Sequence, residues 1–351
     1  MIEAKLWFAL IAIMLAVYVA LDGFDFGAGI LHLFVAKTDE ERRSVLTAIG
    51  PVWVVNEVWL LAGGGTMVFA FPRVFASGFS GFYMPLMLAL WLLILRGISI
   101  EFRSHEAHPL WRSIWDSVFF LSSSLMAVIL GAALGNVIRG VPIDSSGYFS
   151  GPMFTNFLPG RHPGALDWYT VMVGLFALAA LALHGAFYLI LKTEGAVQQR
   201  SRSIATKLGW VVLLLGILVT IATNYVKPAL YTNLIDRPWT WILVLIMAAG
   251  MFMMPAGYRI KNDLLSFLGS TSLLVGMLGA TAAGLFPVLL NSTISPDYNL
   301  TVTNAAIGAR YLTVGFIWWI PGAVIAGFYF FYLFRVFRGK VSSDVKSLTS
   351  T

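Results

Sequence analysis

From Leu6 to Phe34 the chain reads LWFALIAIMLAVYVALDGFDFGAGILHLF, and this stretch decides the fold. A bilayer core of ~30 Å takes ~20 apolar residues of helix to cross, and this run is longer than that. Its apolar residues are continuous and not alternating, which selects a helix over a barrel strand. Comparable windows recur near Trp53–Phe71, Phe79–Ile100, Ile114–Val137, Asp167–Leu191, Ala205–Tyr225, Pro238–Ala256, Asp263–Leu290 and Ile307–Phe334. The predicted class is an all-α polytopic membrane protein with about nine transmembrane helices.

Composition agrees. Of 351 residues, 58% are hydrophobic and only 11% charged, where soluble domains carry ~25% charged. Twelve Trp and twelve Tyr suit headgroup-level anchors. The net charge of +6 lies in short loops between apolar runs, so the matching partner is the anionic membrane surface and not nucleic acid. With no cysteine, disulfides, thiolate metal sites and thiol chemistry are excluded. The first run is too long for a cleavable signal peptide and lacks a small-residue cleavage pattern after it.

Alternate loops differ in basic content. Sixteen Lys and Arg, among them Arg42, Arg43, Arg103, Arg112, Arg200, Arg202 and Arg259, fall on one side. Seven, namely Lys5, Arg73, Arg139, Arg161, Lys227, Arg237 and Arg310, fall on the other. The richer side is predicted to be cytoplasmic, with the N-terminus outside and the C-terminus inside. The Gly-, Pro- and Ser-rich connection at 138–166 divides the chain into an N-terminal four-helix bundle at 1–137 and a second at 167–290. A ninth, peripheral helix lies in 291–338, and residues 339–351 form a polar, Ser-rich cytoplasmic tail predicted to be disordered.

Ionisable residues inside spans are costly and point to function. Asp22 and Asp25 share a helix face at i, i+3, and Gly23, Gly27 and Gly29 between and after them permit close approach. A structural pairing of the acids with Arg96 is the plainer alternative. In the second span, Pro51 suits a helix start, and Asn56 and Glu57 follow within the first turns, where the helix dipole also favours an acid. Arg96 could instead snorkel to the headgroups, and Glu101 and Arg103 are expected on a solvated surface. His105 and His108 lack a third ligand, with Pro109 interrupting. His32 lies near a span end and His162 in the outer loop, which leaves His184 as the one intramembrane histidine, expected to be a hydrogen-bonded core residue. Gly63, Gly64 and Gly65 read as helix packing and not as a phosphate loop.

Several motifs together resemble subunit II of cytochrome bd-type quinol oxidases. They are Leu21-Asp22-Gly23-Phe24-Asp25-Phe26-Gly27-Ala28-Gly29, Gly50-Pro51-Val52-Trp53, Asn56-Glu57-Val58-Trp59-Leu60, Phe79-Ser80-Gly81-Phe82-Tyr83, Arg96-Gly97 with Glu101-Phe102-Arg103, Asn304-Ala305-Ala306 and Phe337-Arg338-Gly339-Lys340-Val341. The resemblance implies a respiratory oxidase of the bacterial or archaeal cytoplasmic membrane that reduces dioxygen to water with electrons from quinol. It further implies that this chain contributes no haem ligand, no metal site and no catalytic residue of its own. The haems belong to subunit I, its heterodimer partner, and membrane lipid, a quinone and a small accessory subunit are further implied contacts. On this reading Asp25, Glu57 and Asp22 are proton-pathway candidates, while Trp53, Asn56, Trp59 and Arg96 are candidates for structural or quinone and lipid contacts. The chain departs from the family pattern where Val54 and Val55 replace an Asp-Gly pair after Trp53; the family's acid belongs to a proton-entry route. Glu57, one turn on and about 4.5 Å deeper at 1.5 Å per residue, is the nearest replacement. A secondary transporter with a midplane site at broken helices is the alternative from another class.

Overall fold

A computed structural model of the chain describes residues 2–341; the predicted disorder of the tail concerns mainly residues outside that range. Among the described residues, nine helices are long and apolar enough to cross a membrane. They are α1 (Ile2–Val35), α3 (Trp53–Ala70), α5 (Tyr83–Phe102), α6 (Pro109–Arg139), α7 (Trp168–Lys192), α8 (Gly195–Val226), α10 (Trp241–Arg259, led by a 3-10 turn at Pro238–Thr240), α11 (Asp263–Leu285) and α12 (Ala309–Val336). Three shorter helices, α2 (Asp39–Ile49), α4 (Pro72–Gly81) and α9 (Pro228–Ile235), link them.

The boundaries follow local chemistry. α2 is fixed by a capping box in which the Thr38 hydroxyl accepts from Glu41 N–H and the Glu41 carboxylate accepts from Thr38 N–H. α7 starts on a second such box between Asp167 and Thr170. Proline opens α4, α6 and α9 at the first helical position, where its missing N–H costs nothing. Pro51 does not play this part: it sits in the turn ahead of α3, which begins at Trp53. The third span is shorter at its start than its hydropathy window because Phe79, Ser80 and Gly81 end α4. The eighth stops at Leu285, since Pro287 cannot extend it, and Val288–Leu290 forms strand β1, paired antiparallel with β2 (Leu300–Thr301).

α7 is the most enclosed of the nine spans and α12 the least. α1 packs against α3, α6, α7 and α11. Its approach to α7 is backbone to backbone: a Cβ on Gly27 would run into the Leu181 carbonyl and stand 2.6 Å from Gly185 Cα. Gly29 lies against the Ser123 side chain of α6, where a Cβ would stand 2.6 Å from Ser123 Cβ. Of the expected packing glycines in α3, only Gly63 meets a neighbour, Leu15, while Gly64 and Gly65 face open space. α8 lies on α7 and α10 lies on α11, but α8 and α10, neighbours in sequence, stand apart with α9 between them.

Candidate functional site: a buried acid and guanidinium cluster

The glycine-rich half of α1 carries Asp22 and Asp25 into the interior, where both are fully buried. Their i, i+3 spacing directs them toward α3 and α5. Arg96 of α5, also fully buried, donates from Nη1 to Asp22 Oδ1 at 2.7 Å and from Nη2 to Asp22 Oδ2 at 3.2 Å, a two-point clamp. The same Nη2 reaches Glu57 Oε2 of α3 at 3.3 Å. The guanidinium lies 4.1 Å over the Phe26 ring, one helical turn beyond Asp22. This geometry answers the snorkelling alternative: Arg96 turns inward because a bidentate carboxylate is there to receive it.

Asp25 belongs to a second pair. Asn56 Nδ2 of α3 donates to Asp25 Oδ2 at 2.8 Å and lies 3.4 Å from the Leu21 carbonyl. Around both pairs, Tyr18 Oη, Asp25 Oδ1, Asn56 Oδ1, Trp59 Nε1 and Arg96 Nε are buried with no hydrogen-bond partner among the described residues. Five such atoms in one locality mark a site for bridging water. Trp53 packs its ring edge on Gly97, and Trp59 meets Phe330 of α12 with ring centroids 5.4 Å apart. Val54 is 52% exposed, on the outward face of α3, whereas the Glu57 side chain is 24% exposed and turned to Arg96. All seven candidate residues from the sequence therefore meet in one region, with Trp53 and Trp59 at its edges.

A second buried network was not anticipated from the sequence. Asp116 of α6 accepts from His32 Nε2 at 2.6 Å, from Arg42 Nη1 at 2.8 Å and from Arg103 Nε at 2.5 Å. Arg103 Nη2 and Arg112 Nη1 in turn hold Asp39, at 2.8 and 2.9 Å. Arg103 is thus buried and not on the solvated face expected for it, because two carboxylates draw it under α2; Glu101 does stay exposed. Asp116 lies two residues inside the predicted fourth span, so the rule that singled out Asp22 and Asp25 applied to it as well. At the opposite end of the molecule Arg139 pairs with Asp167 and donates to the Gly164 carbonyl.

Besides His32, three of the histidines make local hydrogen bonds. His184 Nε2 donates to the Ala20 carbonyl at 2.9 Å, and Nδ1 contacts Ser270 Oγ at 2.7 Å. His105 Nδ1 donates to the Glu101 carbonyl, and His108 Nδ1 caps α6 by accepting from Leu110 N–H.

Comparison with known proteins bears on the family and the fold. The family model described as "Cytochrome bd terminal oxidase subunit II" matches residues 4–337. The chain is 30% identical to cytochrome bd ubiquinol oxidase subunit 2 of Bacillus subtilis, over 94% of this chain and 95% of that one. It is 33% identical to cytochrome bd-I ubiquinol oxidase subunit 2 of Escherichia coli over 57% of this chain and 52% of that one. In fold it matches a chain in the structure of bd oxidase from Geobacillus thermodenitrificans, with a TM-score of 0.76 and 18% identity over 96% of this chain and 99% of that chain. With the match running from the first transmembrane helix to the end of the last, the chain belongs to the cytochrome bd terminal oxidase subunit II family.

Proposed function

We propose that this chain is the haem-free subunit of a quinol-oxidising terminal oxidase of a bacterial cytoplasmic membrane. It works as a heterodimer with a haem-bearing subunit I, and its buried cluster passes protons toward that partner. The names of its relatives support the quinol and oxidase part. The proton part rests on one observation: three carboxyl groups, Asp22, Asp25 and Glu57, lie in one buried region with a single guanidinium, Arg96, which binds Asp22 and Glu57 while Asp25 is held only by Asn56.

Charge balance is the argument. Asp22 and Arg96 neutralise each other through two hydrogen bonds. If Asp25 and Glu57 were also ionised, two uncompensated negative charges would sit at membrane depth, which is heavily penalised. Protons are the counter-charge this site calls for, and a group that takes up a proton for that reason can also hand it on. Glu57, partly exposed and turned to Arg96, serves as the entry, and Asp25, fully enclosed, as the inner carrier. The unpartnered oxygens of Asp25, Asn56 and Tyr18 suit a water-bridged step between them. Val54 cannot titrate, so Glu57 replaces the acid the family carries there.

The membrane-spanning chain offers this partner a suitable face. Val54, Val58 and Leu61 of α3 and Tyr83, Met84 and Trp91 of α5 are exposed and apolar. We place the division between the two helix bundles at the 138–166 connection, which leaves α12 peripheral. No observation favours the transporter reading: Pro255 and Pro321 lie inside continuous helices α10 and α12, not at breaks.

The test uses the two-subunit complex. Glu57→Gln is expected to slow quinol-driven oxygen consumption about tenfold, below the ~10²–10⁴ typical of a single essential proton-transferring group, because proton entry through the partner persists. The haem spectrum should not change, and adding Val54→Asp should restore part of the rate. Unchanged turnover in both Glu57→Gln and Asp25→Asn would show that these acids are structural.

A further inference from the structure

The separation of α8 from α10 has a chemical consequence. The two helices form two walls of a cavity of about 1410 Å³ that runs on past α11, α6, α7 and α9 to residues of α1, α3, α4, α5 and β1. That volume exceeds the roughly 300–1,000 Å³ of ordinary small-ligand sites. The walls that α8 and α9 contribute are almost wholly apolar, and their hydroxyls are engaged: Tyr231 Oη donates to the Thr220 carbonyl, and Thr223 Oγ1 shares a hydrogen with Tyr169 Oη. The Tyr18 hydroxyl, which lines the cavity at α1, has no partner among the described residues.

One end is different. Arg259, at the C-terminal end of α10, is the one charged side chain among the described residues of the walls. Tyr258 and Thr206 line the cleft beside it. Lys207 follows Thr206 and Lys261 lies two residues past Arg259 in sequence; both stand exposed, and none of these three cations has an ion-pair partner among the described residues. Nearby Arg202 is by contrast already held by Asp263. Three uncommitted positive charges at the mouth of an apolar cleft between transmembrane helices complement an anionic headgroup on a long apolar tail.

We propose that the cleft between α8 and α10 binds one anionic phospholipid, its phosphate held by Arg259 and its acyl chains lying along the walls. Gly209 and Gly216 give the chains their room. Gly209 lines the cleft and has no atom within 4 Å of where a Cβ would stand. The lipid fills the gap that α8 and α10 leave and so bridges two helices that each pack mainly on another neighbour, α7 and α11. An isoprenoid quinone would suit the apolar walls equally, but its uncharged ring has no use for the three cations.

The heterodimeric complex, purified in mild detergent and stripped of lipid, is titrated with phosphatidylglycerol or phosphatidylcholine and weighed intact by native mass spectrometry. Wild type is expected to retain one phosphatidylglycerol per complex at least tenfold more tightly than phosphatidylcholine. Arg259→Gln should erase that preference while leaving weak binding of both lipids. Gly209→Leu, whose Cβ has open space and whose longer side chain enters the path of the acyl chains, should weaken retention of both. Three outcomes overturn the proposal: equal retention of the two lipids by wild type, unaltered preference in Arg259→Gln, or a retained quinone displaced by Gly209→Leu. Should Gly209→Leu fail to assemble, the lipid preference of Arg259→Gln decides alone.

Discussion

Arg96 and Asp22 show how much one residue depends on another at membrane depth. Neither is tolerable alone, because removing one partner of a buried ion pair strands the other charge, at a cost of ~3–5 kcal/mol. Arg96→Gln is therefore expected to lower the yield of haem-containing complex sharply, and Asp22→Asn to do so nearly as much. The double variant removes both charges together and should recover a large part of the yield; a double variant worse than either single one would show that the pair does not act as a unit. His184 makes the opposite case, since both its ring nitrogens are engaged within the protein. His184→Gln should leave the haem content per complex unaltered, as pyridine haemochrome assays would report. At this scale the sequence was informative wherever a charge fell inside an apolar run, which exposed Asp22, Asp25, Glu57 and Arg96. It did not disclose that Arg96 would choose Asp22 over Asp25, because that choice depends on where α5 crosses α1. Arg103 was misjudged for the same reason: its place in a polar loop is plain, but the carboxylates that cover it come from α2 and α6.

Helices reveal their burial through what their small residues touch. Gly27 of α1 crosses Gly185 of α7 so closely that a single methyl group collides with backbone, and backbone cannot yield as a flexible side chain can. Gly27→Ala is expected to force α1 and α7 apart and to cost complex stability, seen as a fall in unfolding temperature. Gly64→Ala, where nothing lies within 4 Å, should be neutral or slightly stabilising, since Ala favours a helix by up to ~1 kcal/mol over Gly. Nothing in hydropathy distinguishes Gly27 from Gly64. The long spans were readable because each is an unbroken apolar run, whereas α2, α4 and α9 are short and mixed in character and were not read. Yet α2 does a specific job, docking on α8 through Arg200, which donates to both Glu41 oxygens at 2.8 and 3.0 Å. Hydrogen bonds from Arg200, and then from the Lys37 and Thr38 amides, draw the Glu41 carboxyl down to about 2 from the usual 4.5. A carboxyl lowered on folding contributes stability that is complete above about 4.5 and lost as pH falls toward 2. Between pH 6 and pH 3 the unfolding temperature of the wild-type complex should therefore fall more steeply than that of Glu41→Gln; parallel curves would show that the pair adds nothing to folding.

The orientation of the whole molecule follows from which helix ends the ion pairs collect. Lys192, at the end of α7, donates to the Phe337 and Gly339 carbonyls beyond α12, and Lys340 pairs with Asp263 at the start of α11. Arg200 and Glu41 join α8 to α2, and Asp116, Arg103 and Asp39 join α6 to α5 and α2. All these lie at one end, the end to which the sequence assigned sixteen basic residues against seven. The other end holds Arg139 with Asp167, Lys227 with Asn291, and Arg237 with the Phe286 carbonyl. Translocation disfavours basic residues in short loops, so the richer end is predicted to be cytoplasmic. Glu57 and Asp25 both lie in helix halves nearer that end, α3 beginning there and α1 finishing there, which is where a proton drawn from the cytoplasm would first be received. A fluorescent reporter fused after Lys340, with subunit I co-expressed, should therefore mature in the cytoplasm, and alkaline phosphatase at the same point should be inactive. Phosphatase inserted within 154–158 of the outer loop should be active. Active phosphatase after Lys340 would invert the molecule, place Glu57 toward the outer face, and leave the proposed proton entry without a cytoplasmic source.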